Sequence, residues 1–149
     1  MVHIMKRLHV HIKVKDIDSA IPFYQAMFGQ APSKKEADYA KWMLDDPHAN
    51  VSLSTHGATP GIDHAGIQVE TSEELLEISD RMQAAKLSIR PEENTTCCYA
   101  QSDKRWAHDG QGATWELFHS FADSDTYGAE PDRELNKQPS SNASACCAP

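Results

Sequence analysis

Two histidines, one glutamate and a pair of adjacent cysteines are the residues of this chain best suited to chemistry. His9 opens the run H-V-H-I-K-V and His64 opens H-A-G-I-Q-V, so both stand first in the pattern H-x-x-I-x-V. Each run alternates as a strand does. In the first, Val10, Ile12 and Val14 share one face and His9, His11 and Lys13 the other. In the second, Ala65, Ile67 and Val69 oppose His64, Gly66 and Gln68. His9 and His64 therefore hold equivalent positions, and packing the two copies about a pseudo-twofold would bring them into one concavity. The run 114–118 also alternates and sets Glu116 beside Phe118 on one face of a half-buried strand. A buried unpaired carboxylate is costly, and a metal ion is one way to satisfy it. Two imidazoles and a carboxylate form the facial triad typical of non-haem Fe(II) oxygenases; the same set holds Zn, Mn, Ni or Co, so it does not fix the metal. A histidine in a strand is more often a hydrogen-bonded polar residue than a ligand; the repeat is what lifts these two. His11, on the same face as His9, is the rival ligand, and His9 is preferred because His64 matches it. His3, His48, His56, His108 and His119 have no such match and read as surface or supporting residues.

Cys97 and Cys98 could close a vicinal disulfide or chelate one soft ion. Thiolates select thiophilic centres, and two of them supply the bonds that a trivalent arsenic has left after one As–C bond. A structural zinc site wants four ligands at wider spacing. The plainer alternative is a small buried hydrophobe with an incidental neighbour. Cys146 and Cys147 could capture or hand over the same ion, or be inert. Paired in this way, the four cysteines are no disulfide framework and are expected to be thiols in a reducing compartment.

The elements that must position these residues are legible. Ile17, Ile21, Tyr24 and Phe28 recur at helical spacing, and Gly29 can end that helix. Pro22 fits if Asp18 is the cap and the proline falls in the first turn. After the second strand, Thr71, Ser72, Glu73 and Glu74 make a capping box, followed by the stripe Leu75, Ile78, Met82 and Ala85. Strand-like runs follow each helix: around Tyr39, then 41–44 and 50–55 in the first half, and 87–90, 97–101 and 115–118 in the second. The organisation is β-α-β-β-β, twice, broken at residues 57–61. The expected domain is 1–121, with modules at about 5–56 and 60–121, and 122–149 is expected to be a polar, mostly disordered tail.

A chain of 149 residues has room for one domain and a real core. The net charge of −8 argues against a nucleic-acid partner. No stretch approaches the roughly 20 apolar residues of a membrane span, and the N-terminal run lacks the apolar core of a signal peptide. A cytoplasmic protein is expected, monomer or homodimer.

The doubled unit, with candidate ligands on the first strand of each copy and on the last strand, resembles the glyoxalase/bleomycin-resistance/dioxygenase (vicinal oxygen chelate) superfamily. The runs at His9-Val10-His11-Ile12, residues 16–24, 38–47, 62–70 and 95–100, and Trp115-Glu116, resemble more narrowly the carbon–arsenic lyases, many labelled cadmium-induced proteins. This resemblance covers roughly residues 5–128 and the terminal Cys-Cys-Ala-Pro. It implies an α+β fold of paired βαβββ modules forming an open mixed β-barrel. It implies cleavage of the C–As bond of trivalent organoarsenicals (methylarsenite or aromatic arsenicals) to inorganic arsenite, dependent on Fe(II) and O2. By position, His9, His64 and Glu116 would hold Fe(II), and Cys97 and Cys98 the arsenic. Some members carry Gln where His9 stands. Tyr39, Tyr99, Trp106 and Phe118 are candidates for the pocket wall. Two other functions compete: non-catalytic thiol binding of arsenite, antimonite or cadmium, and another vicinal oxygen chelate dioxygenase.

Overall fold

The computed structural model describes residues 5–57 and 59–129. In chain order the elements are β1 (Arg7–Lys13), α1 (Ile17–Phe28), β2 (Lys34–Lys35), β3 (Tyr39–Asp45), β4 (His48–Ser54), β5 (Gly61–Gln68), α2 (Ser72–Ala84), β6 (Ile89–Cys97), β7 (Ala100–His108) and β8 (Thr114–Asp123). This is the β-α-β-β-β unit, twice. The strands form one mixed sheet in the order β2-β3-β4-β1-β5-β8-β7-β6, curled into an open half-barrel. Each module supplies four adjacent strands, joined by the antiparallel β1–β5 pair. Within the modules β1 runs parallel to β4 and β5 parallel to β8. At the joint His9 faces Gly66, Val10 faces Ala65 and His11 faces His64. The Val10–Ala65 pair is thus the local twofold, and His9 and His64 are its symmetry mates.

The alternation of the strands sorts the side chains onto two faces. On the convex face each module buries its own helix. Ile17, Trp42, Leu44, Val51 and Leu53 pack under α1 with Ile12, Ile21, Tyr24 and Phe28. Val69, Leu75, Ile78 and Leu117 pack under α2 with Ile67 and Met82. The concave face is polar yet buried: His9, His11, Lys13, Asn50, Ser52, Ser54, His64, Ser102, Lys104 and Glu116 lie there. Buried polar groups are tolerated only when partnered, so this face is where function is to be sought.

Four local expectations are corrected. The cap of α1 is Asp16, whose side chain accepts from the Ser19 amide at 2.7 Å, and not Asp18. Starting there lets Ile17, 2% exposed, enter the core as the first helical residue. Pro22 consequently lies in the second turn, where its missing N–H forfeits one bond to the Asp18 carbonyl. The runs around Tyr39 and at 41–44 are one strand, β3, and the short Lys34–Lys35 strand precedes it. The run 97–101 is not one strand: Cys97 ends β6, Cys98 and Tyr99 make the hairpin turn, and Ala100 and Gln101 begin β7. Finally, the folded unit extends past residue 121: β8 runs to Asp123, Tyr127 is buried, and Gly128 bridges to Cys97. The rest of the expected tail, with Cys146 and Cys147, lies outside the described residues, as does His3. The box at Thr71 is as expected: its hydroxyl accepts from the Glu74 amide at 3.2 Å, and Glu74 accepts from the Glu70 amide at 2.9 Å. Among the described residues, no helix is long and apolar enough to cross a membrane.

Candidate metal centre and thiol pocket

His9, His64 and Glu116 come from β1, β5 and β8 and meet at one point. His64 Nε2 lies 2.7 Å from Glu116 Oε2 and 3.3 Å from His9 Nε2, and His9 Nε2 lies 3.5 Å from Glu116 Oε2. The other nitrogen of each ring is fixed. His9 Nδ1–H donates to the Asn50 carbonyl at 3.1 Å, and His64 Nδ1–H donates to the Asp63 carboxylate at 2.8 Å. Bonds of this kind set the tautomer and leave Nε2 bare. Three acceptors, two imine nitrogens and a carboxylate oxygen, then converge without a donor among them. A cation resolves that repulsion. Neighbouring ligands on an ion bonded at about 2.1 Å stand about 3.0–3.4 Å apart, close to these separations, so the donor set fits a divalent metal.

Glu116 is 4% exposed, and its second oxygen, Oε1, accepts from Lys104 Nζ at 2.7 Å. Burial alone would raise the Glu116 carboxyl, but the Lys104 ammonium beside it holds it well below the usual carboxylate range. Burial would lower Lys104, and the Glu116 carboxylate with the two nearby cysteines keeps it above its ordinary value instead. One oxygen of Glu116 is therefore committed to Lys104 and the other is directed at the histidines.

His11 is the competing ligand. Ring nitrogens of His9, His11 and His64 all lie within 4.8 Å of one another, a group able to hold a metal. Both His11 nitrogens, however, already contact hydroxyls: Nδ1 and Ser52 Oγ at 2.6 Å, Nε2 and Ser54 Oγ at 2.9 Å. Its ring stacks on His64 at 5.0 Å. Burial, then the neighbouring His64 and His9, hold His11 well below the ordinary histidine pKa, so it is neutral.

The thiols face the same space. A cavity of about 370 Å³, counting its open mouth, is lined by His9, Glu116, Lys104, Tyr39, Cys97 and Cys98 among others. Cys97 Sγ and Cys98 Sγ are 3.2 Å apart and unbonded. The S–H of Cys97 bonds to Cys98, which pushes Cys97 up; that bond, opposed by burial and helped by Lys104, brings Cys98 down. Cys98 is thus the sulfur that ionises first. Tyr39, Tyr99 and Tyr127 surround the pair.

Of the expected wall residues, Tyr39 and Phe118 line the cavity. Trp106 packs edge-on against His64 at 5.2 Å, and Tyr99 lies in the thiol turn. His56, read as a surface or supporting residue, is half-buried and bonded to Asp38. Sequence reasoning missed Lys104, Asp63, Ser52, Ser54 and Tyr127. Lys104 left a signal: it is in phase with Trp106 on an alternating strand, so it points inward. Tyr127 left none, standing alone in a polar stretch.

Comparison with known proteins agrees with this architecture. The model of the glyoxalase/bleomycin resistance protein/dioxygenase superfamily matches residues 6–117, and the chain belongs to that superfamily. Within it, the chain is 36% identical over 148 residues to a trivalent organoarsenical cleaving enzyme of Bacillus sp. (strain MD1), covering 97% of this chain and 92% of the relative. A second enzyme of that name, from Thermomonospora curvata, is 30% identical over 97% of this chain and 90% of its own length. The cadmium-induced protein CadI of Mycobacterium bovis is 33% identical over 96% of this chain and 93% of its own length. Among solved structures, methylmalonyl-CoA epimerase of Mycobacterium tuberculosis shares the fold at a TM-score of 0.56 and 21% identity, covering 74% of this chain and 85% of that one. Homoprotocatechuate 2,3-dioxygenase of Arthrobacter globiformis does so at 0.60 and 14%, covering 83% and 38%.

Proposed function

We propose that the protein is an Fe(II)- and O2-dependent lyase that cleaves the C–As bond of trivalent organoarsenicals and yields inorganic arsenite. The observation that carries this reading is one cavity lined at once by His9 and Glu116, both of which meet His64, and by two adjacent thiols. The names of the relatives from Bacillus sp. and Thermomonospora curvata supply the substrate class.

In this reading Cys97 and Cys98 bind the substrate. Methylarsenous acid loses both hydroxyls as water, two As–O bonds break, two As–S bonds form, and each thiol proton leaves with one hydroxyl. Cys98, ionised first, attacks first. The dithiolate then holds the remaining As–C bond inside the cavity, and fixed orientation of this kind lowers a barrier by several kcal/mol. His9, His64 and Glu116 would hold Fe(II), which when bound supplies open positions for O2. Asp63 and the Asn50 carbonyl keep the two imidazoles aimed. Lys104 keeps one oxygen of Glu116 occupied and places a positive charge beside the sulfur pair.

The test is product analysis. Iron-loaded protein is incubated anaerobically with methylarsenite, then given air. Inorganic arsenite is expected only after oxygen is admitted. Cys97→Ser and Cys98→Ser should abolish turnover and leave the iron content unchanged. Full-rate demethylation without oxygen would refute the mechanism.

A further inference from the structure

The turn that presents the thiols is held in place from the other module. Cys97 pairs with Ala100, so Cys98 and Tyr99 are the two turn residues, with φ of 56° and 59°. Such hairpins select Asn-Gly, because a side chain with a Cβ is strained in that conformation. A backbone of this kind persists only where the surroundings over-determine it.

The surroundings form a closed circuit of named contacts. The Tyr99 hydroxyl donates to Asp38 Oδ1. Asp38 Oδ2 meets His56 Nε2 at 2.6 Å. The His56 ring lies flat on Tyr127 at 3.6 Å, and the Tyr127 hydroxyl accepts from Cys98 Sγ at 3.7 Å. The circuit thus leaves the turn at Tyr99 and returns to it at Cys98. Asp38 and His56 flank β3 and β4 of the first module, tied by the Thr55 amide to the Asp38 carbonyl at 3.1 Å. The Tyr99 carbonyl is held as well, by Lys34 Nζ at 3.2 Å and the Ser124 amide at 2.9 Å. Gly128 closes the far side with no room for a side chain, since a Cβ there would stand 1.9 Å from the Thr96 carbonyl oxygen. The bond to Asp38 pushes the Tyr99 hydroxyl up to about 12, so it stays a donor at neutral pH.

We propose that Asp38 is a positioning residue: through Tyr99 on one side and through His56 and Tyr127 on the other, it fixes the Cys98–Tyr99 turn so that both sulfurs close on a single trivalent arsenic. This rests on the thiol-binding role proposed above. The circuit explains why a Cys-Tyr pair can occupy positions suited to Asn-Gly, and why a carboxylate with no contact to the metal donors lies beside the pocket.

The test uses phenylarsine oxide as a dithiol probe on the full-length protein, read as equilibrium affinity and not as turnover. Tyr99→Phe and Asp38→Ala should each weaken binding at least tenfold, with Fe(II) affinity changed less than twofold. In turnover the loss should fall on KM and not on kcat. Asp38→Asn, which can still accept from Tyr99, should recover most of the affinity. Tyr99→Phe removes one oxygen and keeps the ring, so it decides the matter even if Asp38→Ala does not fold. If wild type binds the probe and Tyr99→Phe binds it equally well, the positioning role is overturned and the thiol site stands. If wild type itself does not bind the probe, both fall.

Discussion

The two modules share a framework but not a charge. By register, His9 of the first corresponds to His64 of the second, His11 to Gly66 and Ser52 to Glu116. In the second module the carboxylate at 116 is bound to Lys104 and turned toward the histidines. In the first, the same place holds a hydroxyl, and His11, Ser52 and Ser54 form a neutral hydrogen-bonded cluster. A duplicated sheet could offer two carboxylates at these two places; this one has a carboxylate at one and a hydroxyl at the other. The charge at the proposed metal site is thus set by one residue pair, Glu116 with Lys104, and not by the symmetric scaffold.

The largest expected effect tests that claim directly. Glu116→Ala should weaken Fe(II) binding by a factor on the order of 100 or more, measured by chelator competition, because ligand loss exceeds the 10–100-fold typical of supporting residues. It should also destabilise the metal-free fold by about 3–5 kcal/mol in urea, since Lys104 is left buried and unpaired. Adding Lys104→Met should restore most of that stability and none of the iron affinity. Ser52→Ala, at the corresponding place, should lose about 1 kcal/mol and bind iron as wild type does. Equal losses of iron at the two positions would break the comparison.

A smaller effect is expected where the modules differ in bulk. A Cβ on Gly66 would stand 2.3 Å from the Glu116 carbonyl oxygen and 3.2 Å from His9 Cδ2. Backbone on one side cannot yield as a flexible side chain would. Gly66→Ala should therefore cost about 1–3 kcal/mol of stability, as overpacking does, and weaken iron binding roughly tenfold by displacing both Glu116 and His9. Wild-type iron affinity in Gly66→Ala would show that the close approach of β5 and β8 is not what seats the site.

These contacts mark how far the sequence could be read. The H-x-x-I-x-V repeat fixes a register in which His9 and His64 are symmetry mates, because a period of two leaves a strand only two faces. Glu116 was legible for the same reason: alternation next to Leu117 and Phe118 sends it inward. Lys104, Asp63 and the Ser52–His11–Ser54 cluster were not read, since their role depends on which strands lie side by side. Nothing in Cys97 to Gln101 looks like a turn, so the run reads as strand although Cys98 and Tyr99 turn the chain. Its backbone is imposed by Asp38, Lys34 and Tyr127, all distant in the chain. Pro22 points to a cap at Asp18, whereas the burial of Ile17 requires the helix to start two residues earlier, at Asp16.

The smallest effect separates the neutral cluster from the charged one by pH. His11 is held below its ordinary value by burial and by the other two imidazoles, whereas in the unfolded chain it titrates near about 6.5. As pH falls through that value, the unfolded state takes up a proton that the folded state refuses. Stability is therefore fully present above about pH 6.5 and is lost below it, down to the depressed folded value. For one proton the slope cannot exceed about 1.4 kcal/mol per pH unit. In metal-free protein, urea unfolding at about pH 7 and about pH 5.5 should show wild type losing about 1 kcal/mol more than His11→Asn, which keeps a polar contact to the serines but has no proton to gain. Glu116 contributes nothing to this window, since its folded value lies well below the ordinary carboxylate range and its own loss comes at more acid pH. Identical pH dependence in wild type and His11→Asn would mean that the His11–Ser52–Ser54 cluster is not held neutral, and the contrast between the two halves would then rest on Glu116 and Lys104 alone.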